Sequence, residues 1–420
     1  MAARARLRHT CTAPSQARDK EQAGMAVANP VRSTTDPAPR PAPTATDRGA
    51  AVAPFDDAGI AARLISYSAL DRYFRQPAAG GEAVRYVAAD ATVVEIAPLF
   101  DELQFGSEPM SDAVAVHGGV RLCIRCSDGA DTRGFPFSVQ QLGFDAQRGV
   151  FLDPSAVYYD LRKPALVGRA TDLEWWQVVA EAAQLVSRYH YTFEPDADWI
   201  DAPVPPAPAP YQRHLLVRIL TSRAPANGLR LLHDAGIVAS WWPELAAMAR
   251  VDHAKDHHPE GGVWEHTLAT FAHRKSPDLV LSLGLLLHDI GKPRATPRDG
   301  KRFYAHADIG ARVARRFLGR LGFAPKLIDA VAFLSRNHMM PAALGRVRPE
   351  HAEELMSSHL FPHLLELYRA DMMSSFASPE PYYHACRLYQ RHLRGRPLPQ
   401  RTATPGRRRG PRPRARRFKG

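Results

Sequence analysis

The stretch LSLGLLLHDIGKP, residues 281–293, runs through seven nearly unbroken apolar positions and then places His288 and Asp289 side by side. A segment composed this way is built for burial. Burying a neutral polar group without a partner costs roughly 2–7 kcal/mol, and an isolated carboxylate costs far more. Something must therefore satisfy His288 and Asp289. Three arrangements do so: an ordinary hydrogen-bonded pair, a helix end that has already returned to water, or a bound cation.

The other ionisable residues of the same region discriminate between them. His266 in VWEHTLATF, His306 in RFYAHADIG, His338 in LSRNHMM and Asp371 in LYRADMMSS each lie within or beside an amphipathic segment. Neutral imidazoles combined with a few carboxylates suit one or two divalent ions per chain, among them Mn, Fe, Ni, Co, Zn or Mg. Adjacent residues point about 100° apart on a helix, so His288 and Asp289 reach one ion only where the helix end lines a cavity. Gly291 and Pro293 end the helix at that point. An ion so held would polarise a phosphoryl oxygen and generate hydroxide from water. Lys292 would then neutralise phosphate charge, so Asp289 and Lys292 are the candidate catalytic residues.

The chain has 420 residues and a formal net charge of +12. That length predicts two to three domains with ample core. The charge is concentrated at the C-terminus, where residues 391–420 hold twelve Lys or Arg and no acidic residue. Rich in Arg, Pro and Gly, residues 393–420 are expected to form a disordered basic tail. Such a tail either neutralises RNA phosphates without reading sequence or merely solubilises the chain. Residues 1–54 are expected to be a disordered extension, with Met25 as an alternative start and no secretory core.

Four cysteines do not make a disulfide framework, and the CxxC of Cys123 and Cys126 lacks the second pair of a zinc ribbon. A reducing cytoplasm fits this usage. The longest apolar run is half of what a membrane helix needs, which excludes a spanning segment of that kind.

Between the tails the pattern changes twice. Residues 55–170 mix β-like runs (VAVHGGVRLCIRC, FPFSVQQLGFD, GVFLD) with helical ones, including all of DDAGIAARLISYSALDRYF over 56–74, and predict a small α/β unit. Residues 171–250 predict helices, opened by Thr171 and Asp172 as caps, with Trp176, Val179, Ala180 and Ala183 on one stripe. They are interrupted by APVPPAPAP, residues 202–210, a stiff linker because proline lacks the amide donor. Residues 251–392 predict an all-helical domain carrying the ligand set. The fold class is thus mainly α, with an α/β head.

The ordered series H…HD…H…H…D resembles the HD-domain metal-dependent phosphohydrolases. The resemblance narrows further. DHHPEGGVWEHTL, LLLHDIGKP and RDGKRFYAHADIGARVARRFLGRLGF are similar to the HD domain fused to bacterial tRNA nucleotidyltransferases of the CCA-adding and poly(A) polymerase family, and RHLLVRILTSRAPANGLRLLHDAGIVASWWPEL is similar to that family's neck. The resemblance implies His266, His288, Asp289 and Asp371 as core ligands and His306 and His338 as further ligands for a second ion. It implies phosphatase and 2′,3′-cyclic phosphodiesterase activity on nucleotide or RNA-end phosphates. His257 and His258 read as loop residues.

Residues 55–200 resemble the polymerase head of the same family, with its chemistry missing. ADATVVEIAPLF resembles the stretch after the catalytic strand, and GFPFSVQQLGFDAQRGVFLDPSAVYYDLRKPAL resembles the RDFTINAL stretch and its sequel. Where the family has Asp-x-Asp this chain has Val84-Arg85-Tyr86, where a third acidic residue is expected it has Val120, and its Gly-Gly loop survives only as Gly80-Gly81 without the following Asp. Arg133-Gly134-Phe135 also lacks the Asp of RDF. Nucleotidyl transfer needs clustered carboxylates around two metal ions. The expected function is therefore hydrolysis in the helical domain with nucleotidyl transfer lost. The competing expectations are an RNA-binding or regulatory protein with a vestigial metal site, and an active tRNA nucleotidyltransferase using Asp90, Asp101 or Glu102.

Overall fold

The computed structural model describes residues 51–76, 83–105, 110–126, 134–199, 202–251, 262–295, 297–298, 302–303, 305–375 and 378–396. Residues 1–50 and 397–420, His257, His258, Gly80, Gly81 and Arg133 lie outside the described residues; the last residues of the expected N-terminal extension instead belong to the fold, with Ala53 and Pro54 opening a helix and Val52 and Pro54 buried by packing. The chain forms two compact units that divide between Ile237 and Val238.

The first unit is built on a seven-stranded sheet: β1 (Ala62–Ile65), β2 (Ala83–Ala89), β3 (Leu103–Gln104), β4 (Ala113–His117), β5 (Val120–Cys126), β6 (Gly143–Asp145) and β7 (Val150–Leu152). Their order is β3-β4-β5-β2-β1-β6-β7. Only β2 and β5 pair in parallel; the other neighbours are antiparallel. The run VAVHGGVRLCIRC forms the β4–β5 hairpin, and its turn is Gly118-Gly119 with both φ angles positive, the conformation a two-residue primed turn demands. Leu122, Ile124, Val87, Leu70, Phe135 and Phe137 form the buried core. Cys123 and Cys126, three positions apart on a strand, point to opposite faces. Neither forms a disulfide among the described residues.

Three sequence expectations change here. The helix expected across 56–74 is broken into Ala53–Asp57, strand β1 and Ser66–Tyr73, because ARLI finds backbone partners on both β2 and β6. A short apolar run cannot announce pairing with strands so far away. The helix Trp175–Tyr189 starts later than Thr171 and is capped by Glu174 with Gln177 in a reciprocal capping box, while Thr171 instead bonds Gly134 O. The proline linker stays non-helical only to Pro208; Ala209 and Pro210 begin the helix Ala209–Leu220, since the first helical turn tolerates a proline.

Helices Trp175–Tyr189 and Pro225–Asp234 meet at backbone distance. A Cβ built on Gly228 would collide with Ser187 Oγ and Ala183 O. Gly228→Ala is expected to destabilise the first unit by about 2 kcal/mol or more, because a carbonyl in a helix cannot swing aside. Denaturant titration followed by the tryptophans checks this.

The second unit is mainly helical, with Val263–Thr270, Leu279–Leu287, His306–Arg320, Pro325–Asn337, Pro349–Ser357, Phe361–Met373 and Glu380–Leu393; the all-helical expectation is corrected by a short antiparallel ladder of Pro297–Arg298 with Arg302–Phe303, too brief to show in the periodicity. Leu279–Leu287 is its centre. Asp278 caps it by accepting from Leu281 N, and Leu283, Leu285, Leu286 and Leu287 are fully buried. Each such leucine contributes about 1.5–3 kcal/mol. Gly284 faces Leu334 on one neighbouring helix and Leu367 on another, so Leu279–Leu287 is held between Pro325–Asn337 and Phe361–Met373. Among the described residues no helix is long and apolar enough to cross a membrane.

Candidate metal centre

His288 is the C-terminal cap of Leu279–Leu287 and His338 is the C-terminal cap of Pro325–Asn337. The last turn of a helix leaves carbonyls without intrahelical donors. Each histidine uses one of them: His288 Nδ1 donates to Leu285 O and His338 Nδ1 to Ser335 O, both at 2.8 Å. A carbonyl only accepts, so Nδ1 carries a hydrogen and each Nε2 points away from its own helix. Both imidazoles are thereby oriented as ligands by local structure.

Tertiary packing then brings the other side chains to the same place. His306 opens the helix His306–Arg320, and Ala305 before it adopts a left-handed backbone with φ +59°, a conformation costly for a residue with a Cβ and typical of functional sites. Asp371 comes from the last turn of Phe361–Met373 and His266 from Val263–Thr270. All six candidate ligands meet. His266 Nε2 lies 2.9 Å from Asp371 Oδ1, and His288 Nε2 lies 3.7 Å from that oxygen and 3.2 Å from Asp289 Oδ2. The second carboxylate oxygen, Asp289 Oδ1, faces His306 Nε2 at 3.6 Å and His338 Nε2 at 3.8 Å. The two histidines are 3.2 Å apart through their Nε2 atoms.

Asp289 therefore faces two groups of nitrogen donors with its two oxygens. Lys292, one turn on, places Nζ 2.6 Å from Asp289 Oδ2. It stands against a carboxylate of the site.

The protonation states suit cation binding. Burial opposes charge on Asp289, but Lys292 and then His288 hold its carboxyl well below the usual carboxylate range. Asp371 is likewise depressed against the effect of burial, by its bond to His266 and the charge of His288. Burial pushes His338 down to about 4, so its ring is neutral at pH 7. His288 feels the same burial, yet the carboxylates of Asp289 and Asp371 raise it to about 9. With no ion bound the ring is therefore protonated at pH 7, and an ion at Nε2 takes the place of that proton.

The donor set fits a divalent ion. His288 Nε2 is fully buried and, although 3.2 Å from Asp289 Oδ2, makes no well-aligned hydrogen bond among the described residues, so it is available to a cation in the site. Two groups, His266–His288–Asp289 and Asp289–His306–His338, have ligand atoms within 4.8 Å of one another.

Three contributors escaped sequence reasoning. A Cβ on Gly291 would overlap His306 O and lie 2.5 Å from Gly310 N, so only glycine lets the turn after Asp289 abut the start of His306–Arg320. Ser335 supplies the carbonyl for His338 and donates its hydroxyl to Leu287 O. Ser374 Oγ lies 3.3 Å from His266 Nδ1. A serine three residues after Asp371 was the available signal, but nothing in the spacing links it to His266.

In the first unit, Val84 and Tyr86 lie on β2, the strand paired in parallel with β5. Side chains alternate along a strand and register partners share a face. The partner of Val84 is Arg121, and Val120 pairs with Ala83, so Arg121 rather than Val120 stands beside Val84. Tyr86 is buried. Its ring packs on Tyr67 and under Arg218. Beside them the buried Glu181 accepts from Tyr67 OH at 2.7 Å, Gln140 Nε2 at 3.0 Å and Gln184 Nε2 at 3.0 Å. Asp90 pairs with Arg63, and Asp101 and Glu102 are exposed.

The family model described as HD domain matches residues 263–397, a range containing every candidate ligand. The CC-adding tRNA nucleotidyltransferase of Thermus thermophilus is 34% identical over 201 residues, 46% of this chain and 45% of that protein. The multifunctional CCA protein of Halorhodospira halophila is 30% identical over 183 residues, 43% of this chain and 41% of that protein. The chain thus spans under half the length of these curated relatives. The solved CCA-adding enzyme of Bacillus stearothermophilus in complex with CTP covers 83% of this chain, and this chain covers 82% of it, at 17% identity with a TM-score of 0.48. The chain carries an HD domain at residues 263–397, fused to a region similar to tRNA nucleotidyltransferases.

Proposed function

We propose that the helical unit is a metal-dependent phosphohydrolase acting on nucleotide or RNA-end phosphates, and that the first unit no longer transfers nucleotides. The carrying observation is Asp289, a buried carboxylate whose two oxygens face His288 on one side and His306 and His338 on the other. His266, His288, Asp289 and Asp371 would hold one divalent ion, and His306 and His338 with Asp289 a second. When bound, such an ion supplies Lewis acidity and brings the pKa of a coordinated water towards neutrality.

The protein's own groups do the rest. The Nδ1 protons of His288 and His338 are committed to backbone carbonyls, so neither ring can turn in the site. Lys292, with its ammonium beside Asp289, provides fixed positive charge for a phosphoryl group entering there. Lys292→Ala is expected to retain the ion and lower kcat/KM for a phosphate ester by about 10- to 100-fold, in keeping with loss of one electrostatic contact in the transition state.

Support for a silent first unit comes from the β2–β5 face. Val84 and Tyr86 cannot hold magnesium, and their neighbour Arg121 would repel it. The face is filled by the Tyr67–Glu181–Gln140 network.

Metal analysis of the purified protein tests the proposal, together with hydrolysis of 2′,3′-cyclic AMP and p-nitrophenyl phosphate under added Mn, Ni, Co or Mg. Labelled CTP or ATP is offered in parallel with tRNA lacking its 3′ end. Bound ion with hydrolysis and no nucleotide addition is the expected result. A metal-free, inactive protein that binds RNA would establish the regulatory alternative, and nucleotide addition would overturn the second half of the proposal.

A further inference from the structure

We infer that Ser374 is a positioning residue that makes His266 a metal ligand; this rests on the metal-centre reading above. His288 and His338 are oriented by the carbonyl three residues behind them, at a helix end. His266 lies inside Val263–Thr270, where the carbonyl three residues back, Val263 O, accepts the Thr267 hydroxyl at 2.8 Å. The ring is oriented instead from another helix. Ser374 follows Phe361–Met373, and its hydroxyl donates to Asp371 O at 2.6 Å while Oγ stands 3.3 Å from His266 Nδ1.

A hydroxyl has one proton. With that proton committed to the Asp371 carbonyl, Oγ meets the ring as an acceptor, and Nδ1 must carry hydrogen. His266 Nε2 lies 2.9 Å from Asp371 Oδ1 in a hydrogen bond, so with Nδ1 also protonated the ring gives up the Nε2 proton when an ion binds and stays a neutral ligand with its lone pair at Nε2. Without the Ser374 acceptor a neutral ring places its one hydrogen on Nε2, in the bond to Asp371, and that proton must cross to Nδ1 before an ion can bind. Ser374 thus favours the ligating tautomer of His266 through a single hydroxyl, and it touches both the ring of one candidate ligand and the backbone of another.

The test compares Ser374→Thr with Ser374→Val, which match in shape and differ in the hydroxyl. Ser374→Ala and the neighbouring Ser375→Ala complete the set, since the Ser375 hydroxyl donates to Met372 O at 3.0 Å, the same kind of backbone bond. Affinity for Mn is read by electron paramagnetic resonance of the free ion in the full-length protein. Nitrogen-15 spectra of the zinc-loaded protein report the tautomer. Loss of the hydroxyl in the Ala and Val variants is expected to weaken Mn binding about 10- to 100-fold, the usual effect of removing a partner of a ligating imidazole. The Thr variant and Ser375→Ala should bind as wild type does, and wild-type His266 should show Nδ1–H.

Equal binding by the Thr and Val variants would overturn the role of Ser374 while leaving the metal centre intact. A misfolding effect would lower both alike and would count against the hydroxyl. Failure of the wild type to bind any divalent ion would remove the metal centre and this inference together.

Discussion

Replacing Asp289 by Ala is expected to abolish the proposed hydrolysis, with a fall of about a thousandfold or more, because the ion proposed to supply the nucleophile would no longer be held. Among the described residues no other side chain is shared by both groups of donors. Its oxygens lie 3.2 Å from His288, 3.6 Å from His306 and 3.8 Å from His338, so neither triad survives its removal. The fold should persist. The apolar centre formed by Leu283, Leu285, Leu286 and Leu287 is untouched, and the released Lys292 has a long stem that reaches water. The cost should stay below the roughly 3–5 kcal/mol of breaking a fully buried ion pair. Mass spectrometry for metal content, phosphate-ester hydrolysis and circular dichroism read the three consequences. A variant that kept both its ion and its activity would sink the proposed site.

The second large effect is expected from a residue that touches no substrate. Gly291→Ala sets a methyl into His306 O and against Gly310 N. Both obstacles are backbone at the start of one helix, so the helix itself must shift. Overpacking of flexible side chains costs about 1–3 kcal/mol, and a rigid obstacle places this variant at or above the upper figure. The displacement has a direction. His306 moves away from Asp289, so the Asp289–His306–His338 group should lose affinity more than the group containing His266. Gly319→Ala is the control: the same helix, nothing within 4 Å of the new Cβ, and an expected gain of up to about 1 kcal/mol from helix propensity. Denaturant midpoints that moved together in both variants would refute the packing argument.

These two residues show what the chain reveals to different degrees. Asp289 was legible because a buried run ending in His-Asp demands a compensating charge, and the histidines that complete it carry chemistry in their identity. Gly291 was legible only as a helix stop. Its closeness to His306 and Gly310 depends on how the chain returns, which spacing does not encode. The same holds for β1, whose four residues read as helix until pairing with β2 and β6 is known, and for Arg121, whose place beside Val84 follows from parallel register. The protonation of His266 belongs to this class too, since Ser374 is 108 residues away.

By itself, then, the sequence determined the residue types of a candidate metal centre and the helical character of the region holding them. Both follow from side-chain chemistry or from periodicity, properties local to the chain, whereas the missing carboxylates of the head are what the family resemblance implies. Tertiary structure alone decided that the six candidate ligands converge, that Asp289 faces two groups at once, and that a serine and a glycine stand beside them. Those are distances between segments far apart in the chain, set by which faces pack together.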